Sequence, residues 1–146
     1  MKKQEYLDLQ KKHEKELQDF PIAYAFSNEQ LDEALTKLGV KSIDECVTVF
    51  RHGDIVRRED AEKLLSMLRR QKIELHTKMI SDEDFAYEAF LYEMDNHEYA
   101  INWTGDEDVL SCFTMKEEDL EHYDLTRAYR LARRQHMKNA REWGVI

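Results

Sequence analysis

The chain has few of the residues that interrupt regular structure. Its 146 residues include one proline and four glycines. Because these residues mark most tight turns, their scarcity predicts long elements joined by short connections. Cysteine is equally sparse, since Cys46 and Cys112 are isolated and no CxxC pair occurs. This spacing argues against a disulfide framework and is typical of a protein from a reducing compartment.

Long apolar segments are also missing. No run approaches the roughly 20 apolar residues that a membrane-spanning helix needs. The basic start of the chain is not followed by the apolar core of a signal peptide. We therefore expect a cytoplasmic protein with no membrane partner. Apolar residues make up 42% and charged residues 36% of the chain, which is typical of a folded domain. The length predicts a single domain over residues 1–146.

The familiar motifs of catalysis and cofactor binding are absent. The sequence contains no GxSxG, HExxH, GxGxxG or DxDxDG pattern. The turn at residues 51–54 has one glycine and lacks the spacing of a phosphate-binding loop. We therefore predict no cofactor and favour a protein that is not an enzyme, while catalysis through an unfamiliar motif stays open.

Charge is unevenly distributed along the chain. Residues 1–124 form an acidic body with a net charge of -14, and residues 125–146 form a basic C-terminal helix with a net charge of +5. Arg127, Arg130, Arg134 and Arg141 are spaced along one face of that helix. Nucleic-acid binding needs such a stripe, but the acidic body would repel phosphates. Docking on an acidic surface or simple solvation also explains the stripe, so nucleic-acid binding is the less favoured interpretation.

Hydrophobic periodicity predicts an α+β fold. A small antiparallel sheet of three to four strands should pack against about five helices, with a long helix at the C-terminus. The predicted strands cover residues 20–26, 47–50, 55–56 and 99–103. The predicted helices cover residues 2–19, 28–38, 59–80, 82–96, 105–112 and 114–143, the last with a break near Asp124. The predicted capping residues are Ser27, Ser42, Ser81, Thr104 and Thr114, with Gly39 as a helix stop.

Three acidic clusters follow predicted helix starts, at residues 82–84, 106–108 and 117–119. Carboxylates in a first helical turn interact favourably with the helix dipole, which explains most of this pattern. Mimicry of a nucleic acid stays open, because a net charge of -14 exceeds what helix capping needs.

Glu93 is the most unusual polar residue of the sequence. At 100° per residue, Asp84, Glu88 and Asp95 of the predicted helix 82–96 share a solvent face. Glu93 lies instead with Ala86, Ala89 and Phe90. A carboxylate among such neighbours must be paired or protonated, because desolvating a lone charge is unfavourable. His97, four residues later, is a suitable partner.

Three interpretations of this corner are open. The favoured one is a structural pair between Glu93 and His97, or between Glu93 and the backbone. The second is a binding or acid–base site formed by Glu93, His97 and Glu98 with Ser27 and Asn28. Ser27 and Asn28 begin a helix whose N–H groups can hold an anion, although Ser27 and Gln30 explain the same pattern as a cap. The third is a metal site from Glu93 and His97, which lacks a distant further ligand.

Several segments together resemble a family of small uncharacterised proteins found in phages, mobile elements and their bacterial hosts. They are residues 20–30 with Phe26-Ser-Asn-Glu-Gln30, Leu38-Gly39, the Gly53 turn leading to residues 58–61, and residues 92–99 with Asn96-His-Glu-Tyr99. The resemblance covers about residues 4–113. The chain departs from the family at Arg51-His52-Gly53, where a glycine-rich turn is usual, and at residues 111–113, where Leu-Gly is usual. The basic tail looks like an extension particular to this chain.

The resemblance implies a setting rather than an activity. Small acidic proteins from that setting often bind a host or phage protein, and inhibition of a host defence system is one such role. Combined with the acidic body and the missing catalytic motifs, it makes a non-enzymatic binding or regulatory protein the first prediction. The oligomeric state is left open.

Overall fold

A computed structural model describes all 146 residues, Met1–Ile146. Its contacts divide the chain into two compact units. Unit 1 comprises Met1–Lys11 and Lys72–Ile146, and unit 2 comprises Lys12–Gln71. None of the helices is long and apolar enough to cross a membrane.

The fold contains seven α-helices and three short strands. The helices are α1 (Lys2–Asp19), α2 (Asn28–Leu38), α3 (Arg58–Ser81), α4 (Glu83–Asn96), α5 (Gly105–Ser111), α6 (Glu117–His122) and α7 (Thr126–Glu142). The strands are β1 (Ala23–Tyr24), β2 (Cys46–Val47) and β3 (Asp54–Arg57), and 3₁₀ turns cover Ile43–Glu45 and Tyr99–Ile101. The protein is thus mostly helical with a small sheet, an α+β fold in the broad sense. It has seven helices rather than about five, because each of the six predicted ranges forms a helix and the last one is divided near Asp124.

Unit 2 is built around the sheet. β3 is the central strand and pairs antiparallel with β1 on one side and β2 on the other. Successive side chains of a strand point to opposite faces, so β3 contributes to two apolar clusters. Ile55 packs in the cluster that contains α2 residues such as Ala34. Val56 packs in the cluster that contains Leu64 of α3.

The predicted start and end of α2 are confirmed. The Ser27 hydroxyl accepts a hydrogen bond from the Gln30 N–H, and Gln30 Oε1 accepts one from the Phe26 N–H. Gly39 ends the helix with a φ of 71°, a left-handed conformation that favours glycine. The capping box predicted at Ser42 is also present.

The strand predicted at residues 99–103 is wrong. Tyr99–Ile101 forms a 3₁₀ turn instead. The Ala100 N–H donates to Nε2 of His136, and the Ile101 N–H donates to the Glu98 carbonyl. A buried side chain and a local turn therefore satisfy the backbone groups that a neighbouring strand would otherwise have paired.

Two predicted caps are also wrong. Ser81 is the last residue of α3, and Asp82 is the N-cap of α4, where its carboxylate accepts from the Phe85 N–H. Lys116, not Thr114, precedes α6, and the Asp119 carboxylate accepts from the Lys116 N–H. Thr104 does precede α5, but its hydroxyl does not bond the first-turn N–H groups. The acidic clusters lie in first helical turns as predicted.

The predicted break near Asp124 is confirmed. Asp124 has a φ of 57° between α6 and α7. Beyond it, α7 packs its apolar face into the core of unit 1. The rings of Phe90 and Tyr129 meet edge to face with their centroids 5.1 Å apart, and Phe90 and Phe113 do the same at 5.1 Å. This aromatic core fixes the end of α4, where Glu93 lies.

Candidate functional site

The Glu93 side chain is buried, with 4% of its surface exposed. One carboxylate oxygen, Oε1, accepts hydrogen bonds from the Tyr6 hydroxyl at 3.0 Å and the Gln10 amide at 3.2 Å. Both donors come from α1, and the Gln10 amide also donates to the Tyr6 oxygen. These bonds compensate part of the unfavourable desolvation of the carboxylate, and they fix its orientation.

The second carboxylate oxygen faces a histidine and a cysteine. Glu93 Oε2 lies 3.4 Å from His97 Nε2, and the same nitrogen lies 3.2 Å from Cys112 Sγ. The three donor atoms all lie within 4.8 Å of one another. His97 follows the last turn of α4 and Cys112 follows the last turn of α5, so two helix ends converge on this point.

Hydrogen bonds around Asn102 hold the two helix ends together. The Asn102 amide donates to the His97 carbonyl at 3.2 Å and to the Asp108 carboxylate at 2.9 Å. The Cys112 thiol in turn donates to the Asp108 carbonyl at 3.4 Å. The cluster of Glu93, His97 and Cys112 is therefore supported on both of the helices that supply it.

The protonation state of Cys112 limits the chemistry of this cluster. Burial raises the pKa of the Cys112 thiol to about 12, and the negative charge of Glu93 adds to the effect. Burial and Glu93 also raise the pKa of the Tyr6 phenol. At neutral pH both groups keep their protons. Because the thiolate is the nucleophilic form of cysteine, the pair of His97 and Cys112 does not resemble an activated catalytic dyad.

The structure brings together only part of the predicted site. Glu93 and His97 meet as their spacing indicates, whereas Glu98 is exposed in a left-handed conformation, with a φ of 51°. Ser27 and Asn28 belong to unit 2, where the Ser27 hydroxyl caps α2. Sequence reasoning missed Cys112, as well as the α1 residues Tyr6 and Gln10. No local pattern connects them to Glu93, because their proximity arises from the packing of α1, α4 and α5.

A second candidate feature is a groove of about 800 Å³ beside Trp103. Its lining includes the apolar side chains of Leu110, Met115 and Met137. Trp103 is fully exposed next to them. Three exposed carboxylates and one exposed ammonium group also line the groove, from Glu107, Glu117, Glu118 and Lys116. We call this feature the Trp103 groove.

The wall of the Trp103 groove is rigidly built. The Asp106 carboxylate accepts from the Tyr99 hydroxyl at 2.7 Å and also from the Tyr129 hydroxyl. Gly105 packs so closely that an added Cβ would lie 2.9 Å from the Tyr99 ring. Since Asp106 is already paired, the charge open to a binding partner comes from the glutamates of the groove.

The basic face of α7 is the third candidate. Arg127, Arg130, Arg134 and Arg141 are all exposed, as their spacing predicts. Arg127 pairs with Glu83 at 3.3 Å. Arg134, Lys138 and Arg141 line a shallow cavity of about 650 Å³ together with two acidic residues of α4, Glu83 and Asp84. The mixture of charges makes this surface less favourable for phosphates than the arginine spacing alone suggests.

Comparison with known proteins gives one family. The model of a family of unknown function, DUF7659, matches residues 5–135. The match extends beyond the expected residues 4–113 and includes α6 and most of α7. The first part of the basic helix is therefore not an extension particular to this chain. No curated protein and no solved structure matches the chain.

Proposed function

The chain belongs to DUF7659, a family of unknown function, and because this membership supplies no activity we propose a function from its surface. The proposal is a non-enzymatic binding protein whose Trp103 groove takes a basic segment with an apolar anchor from a protein partner. The observation that carries it is the fully exposed indole of Trp103 beside an apolar and acidic groove. The resemblance to phage proteins favours a host protein, including a defence protein, as that partner.

The exposed indole supports a contact surface. Tryptophan is among the residues that dominate the energetics of protein interfaces. Burying an indole removes about 200 Å² from water, on the order of 5 kcal/mol before the unfavourable terms of association. The neighbouring Met137 is half-buried and supplies apolar surface for an anchoring side chain, and methionine adapts to different shapes.

The charge of the groove specifies the chemistry of the partner. Glu107, Glu117 and Glu118 face solvent there, against a single Lys116. A partner with arginine or lysine beside its anchor would be steered to this surface by complementary potential. The association should therefore weaken as salt rises, because exposed charges are screened.

Tryptophan fluorescence tests the proposal directly. The chain has two tryptophans, so a Trp143→Phe background leaves Trp103 as the only indole. A synthetic basic amphipathic helix should shift the emission of this variant to the blue with saturation. An acidic peptide of the same apolar pattern should leave the emission unchanged. Absence of a saturable shift, or an equal shift with both peptides, would contradict the proposal.

Three variants locate the contact. In the wild-type chain, Trp103→Ala should reduce affinity for the basic peptide at least tenfold, as expected for a residue that dominates an interface. Trp143→Ala is the matched control and should leave the affinity unchanged. The triple change Glu107→Gln, Glu117→Gln and Glu118→Gln should weaken binding and flatten its salt dependence. Binding that is indifferent to all of these changes would place the contact elsewhere.

A further inference from the structure

We propose that Glu93, His97 and Cys112 bind one thiophilic divalent cation of the zinc class, with a fourth coordination position left for water. The proposal is independent of the Trp103 groove. It concerns a site in unit 1 where two helix ends and a buried carboxylate meet.

The donor set selects the class of metal. The three side chains offer one sulfur, one imidazole nitrogen and one carboxylate oxygen. Zinc accepts all three in tetrahedral sites, whereas calcium and magnesium require oxygen ligands throughout. Cobalt(II) accepts the same ligands but binds a tetrahedral site more weakly than zinc, because the d¹⁰ zinc ion has no geometric preference to overcome.

Two of the three distances between the donors fit a small tetrahedral ion. Ligand bonds of 2.0–2.3 Å place two ligands of a tetrahedral zinc about 3.5 Å apart. Here Glu93 Oε2 and His97 Nε2 are 3.4 Å apart, and His97 Nε2 and Cys112 Sγ are 3.2 Å apart. The third pair, Glu93 Oε2 and Cys112 Sγ, lies within 4.8 Å, so a side-chain movement that closes this pair would bring all three donors to bonding distance of one ion.

The surroundings orient the ligands as neighbouring residues do in metal sites. Tyr6 and Gln10 both donate to Oε1 of Glu93, which directs Oε2 toward His97 and Cys112. Partners of this kind hold ligand orientation, and their loss typically lowers metal affinity 10- to 100-fold. A cation would also compensate the negative charge of Glu93, which is buried beside a thiol and a phenol.

Binding at this site displaces one proton. As the bond between Cys112 Sγ and the metal forms, the S–H bond breaks and the proton passes to solvent, so the bound ligands are a thiolate, a neutral imidazole and a carboxylate. None of the four surface cavities described for this protein is lined by Glu93, His97 or Cys112. The three protein ligands would then tie the ends of α4 and α5 together, with water completing the tetrahedron.

Cobalt(II) titration of the full chain, freed of metal with a chelator, tests the site. One equivalent of cobalt should produce the intense charge-transfer absorption of a cobalt–thiolate bond together with the visible bands of tetrahedral cobalt. One equivalent of zinc should abolish both, and zinc should raise the melting temperature of the chain. No such absorption, or binding without a defined stoichiometry, would overturn the proposal.

The cysteines provide a matched pair of variants. Cys112→Ser should abolish the charge-transfer absorption, whereas Cys46→Ser should retain it because Cys46 is not one of the clustered donors. His97→Ala should remove most of the affinity, and Gln10→Ala should lower it about tenfold. Absorption that survives Cys112→Ser, or that disappears in Cys46→Ser, would overturn the assignment. If Cys112→Ser fails to fold, alkylation of the wild-type chain replaces this variant as the test. Zinc should protect the Cys112 thiol from the alkylating reagent, and alkylation at the same rate with and without zinc would overturn the proposal.

Discussion

Single carboxylates determine much of this structure, and Asp54 shows how. Its side chain is almost fully buried at the start of β3. It accepts hydrogen bonds from the Thr48 hydroxyl and from the N–H groups of Val49, Phe50 and His52. One side chain thus satisfies three N–H groups of the turn between β2 and β3, which the sequence predicted only as a turn around Gly53.

Asp54 should make the stability of the chain depend on acid pH. Burial alone would raise the pKa of this carboxyl, but the hydrogen bonds from Phe50, Val49, His52 and Thr48 outweigh burial and lower it to about 2. The stabilisation is therefore present above the unfolded-state value of about 3.9 and is lost as pH falls toward 2. The expected contribution at neutral pH is about 2 kcal/mol.

Urea denaturation of wild type and Asp54→Asn measures this contribution. The difference in unfolding free energy should be largest at neutral pH and should shrink between about pH 4 and pH 2. Asp32→Asn, at an exposed position of α2, is the control and should show a small difference throughout. A difference for Asp54→Asn that does not change with pH would refute the linkage.

Glu93 should be needed as a hydrogen-bond acceptor even without metal. Glu93→Leu leaves the buried Tyr6 hydroxyl without its acceptor, which typically costs about 1–3 kcal/mol. The Gln10 amide loses one acceptor but still donates to the Tyr6 oxygen. Glu93→Gln keeps an acceptor oxygen and should be less destabilising. Thermal denaturation in the presence of a chelator separates this effect from metal binding. Equal stability of the two variants would show that Tyr6 and Gln10 find other partners.

At the scale of elements, the boundary between α3 and α4 allows two adjacent residues, Ser81 and Asp82, to be compared as the N-cap of α4. The sequence pattern favoured Ser81 as the cap, but Asp82 accepts the Phe85 N–H at 3.1 Å and also receives Lys2 Nζ at 2.7 Å. Asp82→Ala should therefore lower the unfolding free energy by about 1–2 kcal/mol, as the loss of an N-cap does. Ser81→Ala is the matched control at the adjacent position and should change it by less than about 0.5 kcal/mol. The reverse order of effects would restore Ser81 as the cap.

Local sequence signals predicted the helices and helix boundaries that depend on neighbouring residues in the chain. Amphipathic periodicity found the main helices, and Ser27, Gly39 and Asp124 marked true boundaries. The same signals failed at residues 99–103, because the turn there depends on His136 from α7. Alternating side chains alone do not distinguish such a segment from a strand.

The residues of the candidate sites also fall into two groups, those that a local sequence pattern predicts and those that only tertiary packing brings together. Glu93 could be recognised because one helix places it on an apolar face, and His97 because it lies one turn later. Cys112 could not, since it reaches His97 only through the packing of α5 against the end of α4. No sequence pattern indicated the exposure of Trp103, because large aromatic side chains in a predicted strand are usually largely buried.

At the scale of the whole molecule, α7 is part of the core of unit 1. Ala128, Tyr129 and Ala132 are buried in it. His136 bridges two other elements, with Nδ1 at 2.6 Å from Asp95 and Nε2 accepting from the Ala100 N–H. Removing residues 126–146 should therefore unfold unit 1, so a truncated chain cannot report on the role of the basic face. The expectation of a single folding domain stays a prediction, which the cooperativity of unfolding would test.

Charge reversal on the exposed face is the better test of nucleic-acid binding. Arg130→Glu with Arg134→Glu leaves the buried face of α7 intact, so the melting temperature should stay close to that of wild type. We expect wild type to retard a DNA duplex at most weakly at low salt, and not at about 150 mM, because residues 1–124 carry a net charge of -14. The double variant should lose any low-salt retardation. A complex that persists at about 150 mM salt in wild type and disappears in the folded double variant would instead make α7 a nucleic-acid-binding surface.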